Sequence, residues 1–170
     1  MSYPTKDNGV GVKFGDPGNG RGGNTTSDLR VDPSNPGKFQ AVETVTIRSG
    51  DSGESLVADV AHEGNHVADA QDFARTIAPT DSADQSRNLT KYQTELKSYL
   101  LDQSVLGAGN EKRSFGDCGQ PACILGSGTT PAQALGNINR LLALPESKDG
   151  YNVTPTSQGP LLFPDLTTPR

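Results

Sequence analysis

The sequence has no tryptophan, a single methionine, two histidines and two cysteines among its 170 residues, and its remaining aromatics are five phenylalanines and four tyrosines. So few large apolar side chains can build only a thin core, and a single domain over residues 1–170 is the expected organisation. No stretch approaches the roughly 18 consecutive apolar residues that span a bilayer. The first thirty residues also lack the basic start and apolar run of a secretory leader. Together these predict a soluble chain with no integral signal peptide and no membrane insertion. Basic runs are missing too: 15 Lys and Arg stand against 20 Asp and Glu, a net charge of -5, which disfavours nucleic acid as a partner.

What the chain has in abundance is turn-forming residues, 20 glycines and 12 prolines. Asp7-Asn8-Gly9, Asp16-Pro17-Gly18, Gly22-Gly23 and Asn35-Pro36-Gly37 punctuate the first forty residues around one short alternating run. That pattern predicts a strand near 9–15 followed by a long loop. A second strand is expected over 41–48, where β-branched residues alternate. Asp51 and Glu54 have the spacing of a capping box, and the proline-free segment after them predicts a helix over 52–77. A turn at Pro79-Thr80-Asp81 leads to a second helix over about 84–106, with Leu89, Tyr92, Leu96, Leu100, Gln103 and Leu106 at helical spacing and Gly107 as its stop. Thr130-Pro131-Ala132-Gln133 opens a third helix that ends near Leu144. Residues 1–8 and the proline-rich 151–170 are expected to be irregular or partly flexible, with Leu161, Leu162 and Phe163 pinning the tail to the body. The resulting fold class is α+β: a small sheet of two to four strands on a helix hairpin, with a third helix and long loops.

The string that carries chemistry is His62-Glu63-Gly64-Asn65-His66 inside the first helix. Residues four apart share a helix face, so both imidazoles can bind one Zn2+. Glu63 lies about 100° round from His62, unable to join that pair yet able to act as general base on a water held by the ion. Leu56, Val60, Val67, Ala70 and Ala74 fall on one side of the helical wheel with Glu63 among them, which predicts that its carboxylate is partly withdrawn from water. The chain's only two histidines fall at this spacing, with Glu in its place, by chance roughly once in two thousand arrangements.

A catalytic zinc needs a third protein ligand and an open fourth position. Glu95 on the second helix is the first choice, able to point across a hairpin. Asp72 is the alternative, at a spacing some zinc peptidases use, though Asp69 stands where those proteins turn on a glycine. Asp69 itself suits the outer sphere, receiving a ring N–H from a ligand histidine. With both histidines used as ligands, the donor to a developing oxyanion is a Tyr, an Arg or a backbone N–H; Tyr99 is the tyrosine candidate and, like Tyr92, shares a helix with Glu95, where packing is the competing role. Gly18-Asn19-Gly20-Arg21-Gly22-Gly23 is glycine-rich like a phosphate loop, but no helix follows it, so it reads as a flexible turn. Cys118 and Cys123, five apart, can close a small disulfide loop, a weak sign of an oxidising compartment.

His62-Glu63-x-x-His66 with Glu95 on a following helix resembles the gluzincin branch of zinc metallopeptidases. The compact context resembles metallopeptidase domains of bacterial polymorphic toxins and type VI secretion effectors. The resemblance covers about residues 50–106 and implies a zincin-like fold, with His62, His66 and Glu95 as ligands and Glu63 as base. It implies a protein or peptide substrate lying along strand 41–48, a cognate immunity protein, and a chain secreted or delivered into a target cell or periplasm. Hydrolysis of a peptide bond is therefore the expected function. A peptidoglycan-peptide amidase is the alternative enzyme, and a zinc-stabilised binding module the alternative without catalysis.

Overall fold

A computed structural model describes residues 9–18, 20–77 and 85–164. Segment 1–8, the turn at Pro79-Thr80-Asp81 and the tail beyond residue 164 lie outside those residues. The architecture is mixed α+β, with three α-helices, a three-stranded sheet and a two-stranded sheet. Strands β1 (Val10–Gly15), β2 (Gly23–Asp32) and β3 (Asn35–Arg48) precede helix α1 (Gly53–Arg75) and helix α2 (Lys91–Ala108). Strands β4 (Lys112–Ser114) and β5 (Ile124–Gly126) and helix α3 (Pro131–Ala143) follow. Among the described residues, no helix is long and apolar enough to cross a membrane.

The long loop expected after β1 is in fact half strand. β2 runs antiparallel to β3, from Gly23 opposite Ile47 to Val31 opposite Phe39, and β1 runs parallel to β3 on its other side. The hairpin turns on Pro33 and Ser34, where the Asp32 carboxylate accepts from the Ser34 N–H at 2.7 Å. Segment 41–48 is thus the C-terminal part of the central strand rather than an edge, and the open edges belong to β1 and β2. Polar Asn24-Thr25-Thr26-Ser27-Asp28 hid β2, because pairing with β3 and packing against α1 hold it there without apolar alternation of its own.

Helix boundaries follow capping. Thr90 and Gln93 form a reciprocal capping box that starts α2 at Lys91, later than the apolar spacing suggested, and Gly109 rather than Gly107 closes it. Thr130 and Gln133 form the expected box on α3. The Asp51–Glu54 box does not form: Ser52 is the N-cap, without a side-chain bond, and Asp51 instead pairs with Arg48 Nε at 3.0 Å.

Two apolar clusters result. One joins Ala41 of β3 to Ala70, Phe73, Ala74, Ile77 and Phe163; the other joins Tyr92, Tyr99 and Leu106 of α2 to Phe115, Leu125, Ile138 and Leu141. Phe163 stacks on Phe73 at 5.5 Å, and Lys91 and Tyr92 donate their N–H groups to the carbonyls of Pro160 and Gln158, so the irregular tail is pinned as expected. Where α1 meets α2 the buried side chains are polar, His62 and Asp69 on one helix and Thr94, Glu95, Ser98 and Asp102 on the other, and buried Asp59 and Glu63 of α1 face segment 22–25. The expected apolar faces are accordingly displaced. Val60 and Leu100 are exposed, and Leu56 and Val67 are half-buried. A thin core that buries polar groups forgoes apolar burial, and each such group needs a partner.

Glu43 is the exception, 2 % exposed with neither carboxylate oxygen hydrogen-bonded. Burial pushes its carboxyl from 4.5 up to about 7. A group whose folded value is raised is tolerated best below its unfolded value, so the stability of the wild type should fall as pH climbs from about 4.5 through 7. Glu43→Gln, which mimics the neutral form, is expected to be more stable by up to about 3 kcal/mol at pH 8 and equal at pH 4. Urea unfolding at the two pH values checks this, and an equal gap at both would exclude the titration as cause.

Candidate functional site

The polar seam between α1 and α2 contains a cluster able to hold a metal ion. His62 and His66 stand one turn apart on α1, and Glu95 Oε2 lies 3.4 Å from His62 Nε2 and 3.6 Å from His66 Nε2. One ligand atom from each of the three residues falls within 4.8 Å of the others, and the group is buried or nearly so. Contacts 62 to 102 and 66 to 94 run in opposite directions, so the two helices form the antiparallel hairpin that brings Glu95 across.

Both imidazoles are fixed from behind. His62 Nδ1 meets Asp102 Oδ2 at 2.9 Å, and His66 Nδ1 meets Thr94 Oγ1 at 2.9 Å. Thr94 donates its hydroxyl to Asp69 Oδ2 at 2.8 Å, so it accepts from His66. Each neutral ring then presents a lone pair from Nε2 toward Glu95. Glu95 Oε1 binds Lys91 Nζ at 2.6 Å, whereas Oε2 is buried without a hydrogen bond. Three converging lone pairs repel unless a positive charge lies among them, so the donor set fits a divalent cation. Without one, a proton takes its place. Burial alone would lower the His62 value, but Asp102 and Glu95 outweigh it and lift the ring to about 10. Burial opposes ionisation of Glu95 as well, and the facing histidines and Lys91 still hold it well below the carboxylate range.

A pH dependence follows. Below about 10 the metal-free ring carries a proton that a cation must displace, so affinity should rise about tenfold per pH unit, or about 30-fold from pH 6.5 to 8.0. Chelator-competition titrations at the two pH values measure this, and a flat profile would contradict it.

Other residues distribute unevenly. Glu63 is 4 % exposed and accepts the Thr25 hydroxyl of β2 at 2.7 Å. A Cβ at Gly23 would fall 2.5 Å from Glu63 Cγ, so the glycine lets β2 lie directly on the carboxylate. Its neighbours are polar, unlike the apolar stripe expected. Asp69 reaches His66 through Thr94 instead of directly and also pairs with Lys97. Asp72 stays outside the cluster, exposed and paired with Arg87 at 2.9 Å. Tyr99 sets its ring against His62 at 4.7 Å and shares a 3.2 Å hydroxyl contact with Tyr151. Burial, reinforced by Glu95, raises both phenols, so they remain donors. Tyr92 points away, to Asn139.

Two cavities flank the cluster. The larger, about 510 Å3, is walled by segments 20–23 and 113–117 together with Tyr99, Asp149 and Tyr151. The smaller, about 70 Å3, lies toward β2 and Lys91. Cys118 and Cys123 form a disulfide directly after the 113–117 wall. Asp59, one turn before Glu63, is raised to about 6 by burial and by its bond to Asp51, against the pull of Arg113. Sequence reasoning did not single out Asp102, Thr94, Thr25, Tyr151 or Arg21. Asp102 alone left a signal, seven residues after Glu95 and hence on the same face of α2. No family model, no curated protein and no solved structure matches this chain.

Proposed function

We propose that this chain is a zinc-dependent peptidase with a zincin-like site. The observation that carries the reading is a three-ligand cluster beside open cavities, with a separate carboxylate, Glu63, oriented by β2. Three ligands leave a position for solvent, as catalysis needs, where a structural zinc site would be closed by a fourth protein group. Zinc held there supplies an acidified water and a Lewis acid for the carbonyl.

Glu63 takes the proton of the attacking water as the C–O bond forms. It returns that proton to the amine nitrogen as the C–N bond breaks. Thr25 holds one of its oxygens and leaves the other for this transfer. The Tyr99–Tyr151 pair keeps its protons and edges the larger cavity with a donor. The open edge of β2, adjoining Glu63, replaces segment 41–48 as the rail along which an extended peptide adds a strand.

Purified protein is expected to contain one zinc per chain and to release dye from fluorescein-labelled casein. Phenanthroline should stop the release and added zinc restore it. Stoichiometric metal with inert casein would shift the reading to another amide, and absence of metal uptake would remove it.

A further inference from the structure

The segment that reads as a flexible turn, Gly20-Arg21-Gly22-Gly23, is built into the site. A Cβ at Gly22 would strike the Asp59 carboxylate and one at Gly23 the Glu63 side chain, so the backbone lies flat against α1. Arg21 directly precedes these two glycines. It is one of five residues that wall both cavities, with Gly23, His62, Glu63 and Tyr151, which puts it at their junction beside the candidate base and ligand.

Its charge is uncommitted. Arg113 spends its guanidinium on Asp59 at 2.8 Å and Arg48 on Asp51 at 3.0 Å. Arg21 has no carboxylate within ion-pair distance among the described residues, and its Nε is buried without a hydrogen bond. The guanidinium instead lies 4.7 Å from the centre of the Tyr151 ring, a contact that fixes its direction without consuming its donors. A partly buried, oriented and unpaired cation beside a reaction centre is what stabilises charge appearing there, because it needs little reorganisation at the moment of reaction.

We propose that Arg21 is a catalytic residue that donates to the substrate carbonyl oxygen as it becomes an oxyanion. The assignment rests on the peptidase reading. Attack of water on the carbonyl carbon moves the C–O π pair onto that oxygen while Glu63 takes the water proton. Collapse returns the pair, breaks the C–N bond and hands the proton to nitrogen. Arg21 gives up no proton at any stage.

The test compares wild type, Arg21→Met and Arg21→Lys, each loaded with zinc and checked for fold by circular dichroism. On labelled casein, Arg21→Met should lower kcat by about 10²–10³-fold with KM within threefold, and Arg21→Lys should recover part of it. An N-phosphorylated dipeptide, whose tetrahedral oxygens mimic the attacked carbonyl, should bind Arg21→Met at least tenfold more weakly, with zinc content unchanged. Should Arg21→Met misfold, Arg21→Ala with added guanidinium ion should regain activity. A kcat within threefold and unchanged inhibitor affinity would overturn the role of Arg21 while leaving hydrolysis itself intact. If wild type cleaves nothing, the peptidase reading fails separately. The inhibitor then decides, since equal affinity for both forms overturns this proposal too.

Discussion

Glu63→Gln is expected to lose about 10³–10⁴-fold in kcat on labelled casein while retaining one zinc per chain. Gln matches Glu in shape and its amide oxygen can still accept the Thr25 hydroxyl, so β2 and α1 should keep their contact. What disappears is a group able to take a proton from water and return it to nitrogen. Losing a positioned general base costs factors in the upper part of the range seen for acid–base catalysis. Glu63 is no member of the three-residue cluster, which is why metal content should stay level. Turnover and metal analysis on the same preparation give the answer. Wild-type turnover in the variant would remove Glu63 from the reaction.

His66→Ala should remove both activity and metal. Its ring is one of the three donors of the cluster, and its loss leaves the buried Thr94 hydroxyl without the N–H it accepts. Asp102→Asn sets the scale: an outer partner that only orients a ligand is worth about 10–100-fold in metal affinity. His66→Ala should fall beyond that, below stoichiometric binding at micromolar zinc. The wild type should also gain at least about 2.7 kcal/mol of stability when free zinc exceeds its dissociation constant a hundredfold, a gain the variant should lack. Unfolding with and without zinc distinguishes the two proteins, and equal shifts would place the ion elsewhere.

How much of this was readable in advance depended on how local each signal is. His62, Glu63 and His66 lie within five residues on a single helix, so helical geometry alone relates them. Glu95 was reachable by one further step, the assumption that the next helix folds back. Asp102, the only other acidic residue of α2, stands seven residues after Glu95 on the same face, a signal that becomes readable only once Glu95 is taken as a ligand. β2 escaped because its sequence is polar and its place is set by β3 and α1, partners remote from its own pattern. The apolar faces of α1 and α2 were misjudged for one common reason. The interface between those helices is occupied by charged and hydroxylated side chains, which inverts the rule that buried means apolar. The glycines at 22 and 23 looked like slack in the chain, yet they mark where backbone must approach two carboxylates.

The stitching of residues 158–163 to the start of α2 has an outcome in time. During synthesis the histidines of α1 emerge long before the strap whose carbonyls receive Lys91 and Tyr92 and whose Phe163 seats on Phe73. A ribosome-bound chain halted near residue 157 would own every residue of the cluster and still lack the anchor that orients the helix bearing Glu95. The helix that bears Glu95 therefore gains its last anchor only after every residue of the cluster has already been made.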